Sequence, residues 1–196
     1  MHDHTETNLM KPGRRGLLVL LASAGGGLGL QATDALAASA HTINANADQA
    51  LRVLYAAQPR ARELAQRAKA ILIFPRIVKA GLIIGGQSGD GVLREGGRPV
   101  GYYNISAASF GLQAGAQRFS YALFFMNDAA LDYLKKSDGW SIGSGPSVVV
   151  VDKGAAASLT STTLSQDVYA FPFGQHGLMA GLGLEGSKVT RITPSG

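Results

Sequence analysis

Gly139-Trp140-Ser141-Ile142-Gly143 fits the G-x-S-x-G pattern of a serine nucleophile, with Asp152 or Asp167 and then His176 following in hydrolase order. Such a serine works only where a strand turns sharply into a helix that exposes its hydroxyl. Here Ser144-Gly145-Pro146 and Val148 to Val151 predict turn and strand, so Ser141 is expected in a loop beside an anchoring Trp140. Gly181-Leu182-Gly183-Leu184-Glu185-Gly186 fits G-x-G-x-x-G, the fingerprint of a dinucleotide site. That site needs a following helix to receive the pyrophosphate, inside a βαβ unit. Only ten residues remain, and Lys188–Thr193 alternates like a strand. Beyond residue 37 the histidines are His41 and His176, far apart and without a carboxylate at ligand spacing, so neither a metal site nor a cofactor is expected. Asp90, between Gly89 and Gly91, predicts a hairpin turn rather than a calcium loop. With no cysteine, thiol catalysis, cysteine-bound zinc and disulfides are excluded. No catalytic constellation survives its context.

The remaining chemistry is charge. The 196 residues hold 18 Lys+Arg and 13 Asp+Glu, a net +5, and its location matters more than its size. Residues 38–80 carry seven basic residues and two acidic ones, 7 − 2 = +5, and no glycine. Residues 81–196 carry eight of each sign and twenty glycines. A basic amphipathic helix can lie on an anionic membrane surface, each basic residue contributing about 1 kcal/mol. Nucleic acid is not an expected partner, because aromatics are not interleaved with the basic residues.

Several elements would have to present that charge. Residues 1–37 predict an export signal, with Lys11, Arg14 and Arg15 before an apolar stretch from Leu17 to Leu30. Those 14 residues, four of them glycine, fall short of the 18 or so that a spanning helix needs. Ala35-Leu36-Ala37 fits a cleavage site, with Ala38-Ser39-Ala40 as the alternative. Arg14-Arg15-Gly16-Leu17-Leu18 resembles a twin-arginine signal, and a general secretory one fits as well. A periplasmic destination follows from either.

Residues 38–196 then form a single expected domain. Ala47, Leu51, Leu54 and Tyr55 recur at helical spacing, with Asn46 or Asp48 as the cap. Pro59 opens a second helix in which Ala61, Leu64, Ala65, Ala68, Ile71 and Leu72 share one face, with Arg60, Arg62, Arg67 and Lys69 opposite. Pro75 ends this pattern, and a first strand over Ile71–Phe74 is the alternative. Strands are expected at Ala80–Gln87, Gly91–Arg94, Val100–Asn104, Ser106–Gln117 and Phe119–Asn127. After a short helix, Ala129–Lys136, they resume at Ser147–Asp152, Gln166–Phe173, Gly177–Leu184 and Lys188–Thr193. The class is α+β: basic N-terminal helices on a glycine-rich, strongly curved antiparallel sheet or partial barrel, with one late short helix. Paired glycines at 81/85, 111/115 and 177/181 predict bends or close backbone approaches within strands.

Ala70-Ile-Leu-Ile-Phe-Pro75, Val78-Lys-Ala-Gly81 through Gly85-Gly86, and Ser88-Gly-Asp-Gly-Val-Leu93 resemble the opening motifs of the SYLF lipid-binding domain family. Ser109-Phe-Gly-Leu-Gln-Ala-Gly115, Phe124–Asn127, Gly145-Pro146, Gly177-Leu-Met-Ala-Gly181 and Leu184-Glu-Gly186 continue the resemblance in order, from about Asp48 to Ile192. Tyr102–Asn104 and Ala170–His176 depart from the family pattern. The resemblance implies a non-enzymatic module that binds membrane lipid through its basic N-terminal region. Eukaryotic relatives bind phosphoinositides, and some bind actin. For an exported bacterial chain the ligand carried over is anionic phospholipid. Arg60, Arg62, Arg67, Lys69, Arg76 and Lys79 would contact head groups, while Leu64, Ile71 and Leu72 either insert or belong to the core. An envelope scaffold whose basic face meets a protein partner is the alternative.

Overall fold

The computed structural model describes residues 38–81, 84–110, 115–151, 165–176, 184 and 186–195. The expected export signal, the glycine pairs 111/115 and 177/181, Asp152 and the strand Gly177–Leu184 lie wholly or partly outside them. The chain separates into residues 1–33 and 34–196, and every described element belongs to the second unit.

Helix α1 runs Ala40–Ala57 and α2 runs Pro59–Arg67. Ser39, rather than Asn46 or Asp48, caps α1, its hydroxyl accepting the Thr42 amide at 3.2 Å. Pro59 does occupy the first turn of α2, where its missing N–H removes nothing. Strands follow at β1 Ala70–Gly81, β2 Ile84–Glu95, β3 Arg98–Phe110 and β4 Gly115–Phe125. Next come α3 Asp128–Lys136, β5 Trp140–Ser141, β6 Val148–Val150, β7 Val168–His176 and β8 Lys188–Ile192. Of Asn127 and Asp128, the two caps the sequence offers for α3, Asn127 serves, accepting the Ala130 amide at 2.8 Å, and Lys135 and Lys136 sit at the helix's negative end.

The strands make one sheet in the order β5-β8-β3-β2-β1-β4-β7-β6, antiparallel except for β6 beside β7. Both of its faces are covered. Leu72, Phe74, Ile77, Tyr121, Leu123 and Trp140 belong to the core inside the curve, which α3 closes with Leu131 and Leu134. Ile73, Val92, Phe124 and Phe171 belong to a second core under α1 and α2, which contribute Ile43, Ala47, Leu54 and Leu64.

Two-sided burial corrects several sequence expectations. The run Ala70–Phe74 is continuously apolar because each side chain meets a core, so no period-2 signal separated β1 from the end of α2. Of the two readings the sequence left open for Ile71 and Leu72, the strand holds: both belong to β1 and not to the face of α2. Lys69 likewise lies beyond the helix end. Leu64 and Leu72 are buried and Ile71 packs against the second core. The expected strand Ala80–Gln87 is split by the β1–β2 hairpin, so Gly81 and Gly85 face each other across it rather than sharing a strand. A Cβ on Gly81 would stand 2.4 Å from the Gly85 Cα. Asp90 is not in a turn. It pairs with Asn104 inside β2 and accepts that residue's side-chain amide at 2.8 Å. The glycines of β2 do mark close approaches. A Cβ on Gly91 would stand 2.5 Å from the Phe74 ring.

Candidate functional site

The six basic residues singled out from sequence are carried by two elements and the link between them. On α2, Ala61 and Leu64 turn inward, leaving Arg62, Glu63, Gln66 and Arg67 exposed. Arg60 is ion-paired with Glu63 one turn along. Arg62 lies over the Tyr55 ring, 5.6 Å from its centroid. Burial raises the Tyr55 phenol above its ordinary range, and the Arg62 and Arg94 charges pull it back. Lys69 pairs with Asp128 at the start of α3, 3.2 Å away. Arg94, from the neutral part of the chain, takes Asp48 at 2.5 Å and the Asn44 carbonyl at 3.1 Å, fastening α1 to β2. Among the described residues Arg62, Arg67 and Arg76 have no ion pair. Lys79 shares the face of Ile77, between Gln87 and Gln117 on the neighbouring strands, and so lies on the inner side of the sheet.

Arg76 is placed differently again, by a backbone irregularity. Between Phe74 and Ile77, β1 has two residues where β4 has one, because Phe74 pairs with Tyr121 and Ile77 with Phe119. Between Phe173 and His176, β7 has two residues where β4 has one, because Ser120 pairs with Phe173 and Arg118 with His176. Strand β4 is thus flanked at one level by two β-bulges. Pro75 suits the first, since it has no N–H to lose, and Gly174, at φ +62°, suits the second. The Ser120 hydroxyl donates to the Pro75 carbonyl at 2.8 Å and fixes the first bulge to β4.

Bulges re-aim side chains. Here a cavity of about 370 Å³ opens between the bulges and the flank of α1, lined by Arg76, Arg118 and His176 together with Asn46, Gln49 and Ser120. Val53 and Phe173 add apolar surface. The sequence singled out His176 only as a hydrolase or metal candidate and did not single out Arg118. The two are 58 residues apart in the chain, and only the β4–β7 pairing brings them together.

The serine-hydrolase motif is not assembled. Ser141 ends the two-residue strand β5 opposite Lys188. Asp167 is occupied by Ser147 and Asn127. His176 lies at the end of β7, and among the described residues no hydrogen bond joins the three. Trp140 is the anchor expected of it, buried with its indole N–H donating to the Ser144 carbonyl at 2.9 Å. Gly186 leads into β8 rather than a helix, so the dinucleotide pattern lacks its phosphate-binding helix.

No curated protein matches the chain. A family model described as Ysc84, Las17-binding protein actin regulator, matches residues 106–193, from within β3 to just past β8. The motifs at 70–93 and the basic helices precede that range. Over that stretch, from within β3 through β8, the chain is similar to the Ysc84 (SYLF) domain, the family its motifs resemble.

Proposed function

We propose that this is a non-enzymatic binding module of the bacterial cell envelope that attaches to anionic phospholipid through its N-terminal helical region. One observation carries this reading: α2 buries its apolar side and presents Arg62 and Arg67 to solvent without ion pairs among the described residues. Leu64, Ile71 and Leu72 are occupied in the fold, so attachment is by head-group charge rather than by insertion of these side chains. Similarity over residues 106–193 to a family of binding domains supports a binding role. The periplasmic location rests on the expected export signal. The family description names a protein partner, Las17, which keeps an envelope scaffold as the second reading.

Co-sedimentation with phosphatidylglycerol and phosphatidylcholine vesicles at two salt concentrations is the test. Only the anionic vesicles should retain the chain, less so at high salt. Arg62→Glu with Arg67→Glu should weaken retention roughly tenfold or more. Equal retention on both vesicle types, or no effect of the double change, would sink the lipid reading in favour of a protein partner.

A further inference from the structure

The cavity between the two bulges has no counterpart in the reading of α2, and its chemistry is one-sided. Twelve of the described residues line it, with two arginines and a histidine among them and no aspartate or glutamate. Neither Arg76 nor Arg118 has an ion pair among the described residues. Asp90, on neighbouring β2, is held by Asn104 and forms no ion pair with Arg76. The uncharged polar groups point the same way. The Gln49 side-chain oxygen accepts from Arg52 at 2.7 Å, which leaves its NH2 group as the one available to a ligand. The Ser120 proton is committed to Pro75.

Two exposed guanidiniums lining one concave site offer an anion two forks. A carboxylate, with two oxygens and one charge, is satisfied by one arginine fork. A phosphate ester offers three oxygens and up to two charges, enough for both forks and an imidazole. The volume, about 370 Å³, lies within the ordinary range for small-ligand pockets. Val53 and Phe173 supply apolar wall for the remainder of such a ligand.

We propose that Arg76, Arg118 and His176 form a binding site for the phosphate group of a phosphate monoester. This site is separate from the charged face of α2. Arg76 and Arg118 are the contacts that hold the phosphate, with His176 and the Gln49 amide completing the shell. The monoester could be a soluble molecule or the head group of a lipid such as phosphatidic acid, and one set of measurements separates them.

The full chain is titrated calorimetrically with glycerol 3-phosphate, with acetate as the carboxylate control, and is sedimented with vesicles of phosphatidic acid in phosphatidylcholine. Saturable binding of glycerol 3-phosphate that acetate does not displace is expected. Arg76→Gln and Arg118→Gln should each weaken it about ten- to a hundredfold, with circular dichroism checking that the variants fold. Arg62→Glu with Arg67→Glu should leave it unchanged, so failure of the α2 reading and failure of this one are distinguishable. If phosphatidic acid vesicles compete with glycerol 3-phosphate and their retention falls in the pocket variants, the source is a lipid. If retention is indifferent to those variants while glycerol 3-phosphate binding is lost, the source is soluble. Absence of saturable binding to either probe, or binding that survives folded Arg76→Gln and Arg118→Gln, overturns the site.

Discussion

The hydroxyl of Ser120 on β4 donates a hydrogen bond to the carbonyl of Pro75 on β1 at 2.8 Å, across the bulge that carries Arg76 into the cavity. Ser120 is mostly buried, so the bond is sheltered from water. It holds a proline-containing irregularity in one shape, and the cavity depends on that shape.

Ser120→Ala removes the donor and leaves the Pro75 carbonyl without it. A loss of about 1 kcal/mol in urea unfolding is expected, together with weaker glycerol 3-phosphate binding. Unchanged stability and unchanged binding would show that the bulge is fixed by the strand ladder alone.

Trp140 of β5 lies with its ring centroid 5.9 Å from that of Phe125 on β4, although four strands separate β5 from β4 in the sheet order. The sheet reaches this contact only by curling, and Trp140 is buried inside the curl. Trp140→Ala should cost about 3–5 kcal/mol through lost contact and the cavity left behind. Chemical denaturation reads this directly, and a cost below about 1 kcal/mol would mean that the curl does not depend on the indole.

Gly91 is buried on β2 with the Phe74 ring lying over it. In Gly91→Ala the new methyl would stand 2.4 Å from the Ile73 carbonyl oxygen and 2.5 Å from the ring, so the strands must separate. A destabilisation of about 1–3 kcal/mol is expected. Gly96→Ala, at the β2–β3 turn with nothing near its Cβ, is the contrast. It should carry only the smaller strain of a positive φ, +55°, which the same unfolding assay would resolve.

Asp167 accepts hydrogen bonds from the Ser147 amide, the Asn127 side chain and the Ser147 hydroxyl, which together hold its carboxyl below the usual carboxylate range. A carboxyl lowered by folding contributes stability that is full above its unfolded value, about pH 4. That contribution is lost as pH falls through the lower folded value. Thermal unfolding from pH 6 down to pH 2 should therefore show an acid limb that Asp167→Asn flattens. Identical limbs in both proteins would remove Asp167 as a contributor.

Several parts of this fold were legible because one local rule was enough to write them. Asn127, one of two caps offered before an amphipathic run, does cap α3, and the alternating run Lys188–Thr193 does form β8, Lys188–Ile192. The β1–β2 hairpin was not legible. Its connection, Gly81-Leu82-Ile83-Ile84, has no turn dipeptide and continues the apolar run of the strand. The caps of α1 were misplaced for a related reason, since Ser39 stands among small residues with no change of pattern.

The sequence by itself determined the α+β class, the exclusion of thiol chemistry and the confinement of the net charge to residues 38–80, because composition, helical period and capping are local properties. Only the tertiary structure decided which of those charges are available. Asp48 and Arg94 are 46 residues apart, Lys69 and Asp128 are 59 apart, and each pair is neutralised by contact. Arg76, Arg118 and His176 come together through strand pairing and two added residues in the ladder. A one-residue bulge shifts register by one position, which changes the face a side chain takes, and no local pattern records that shift.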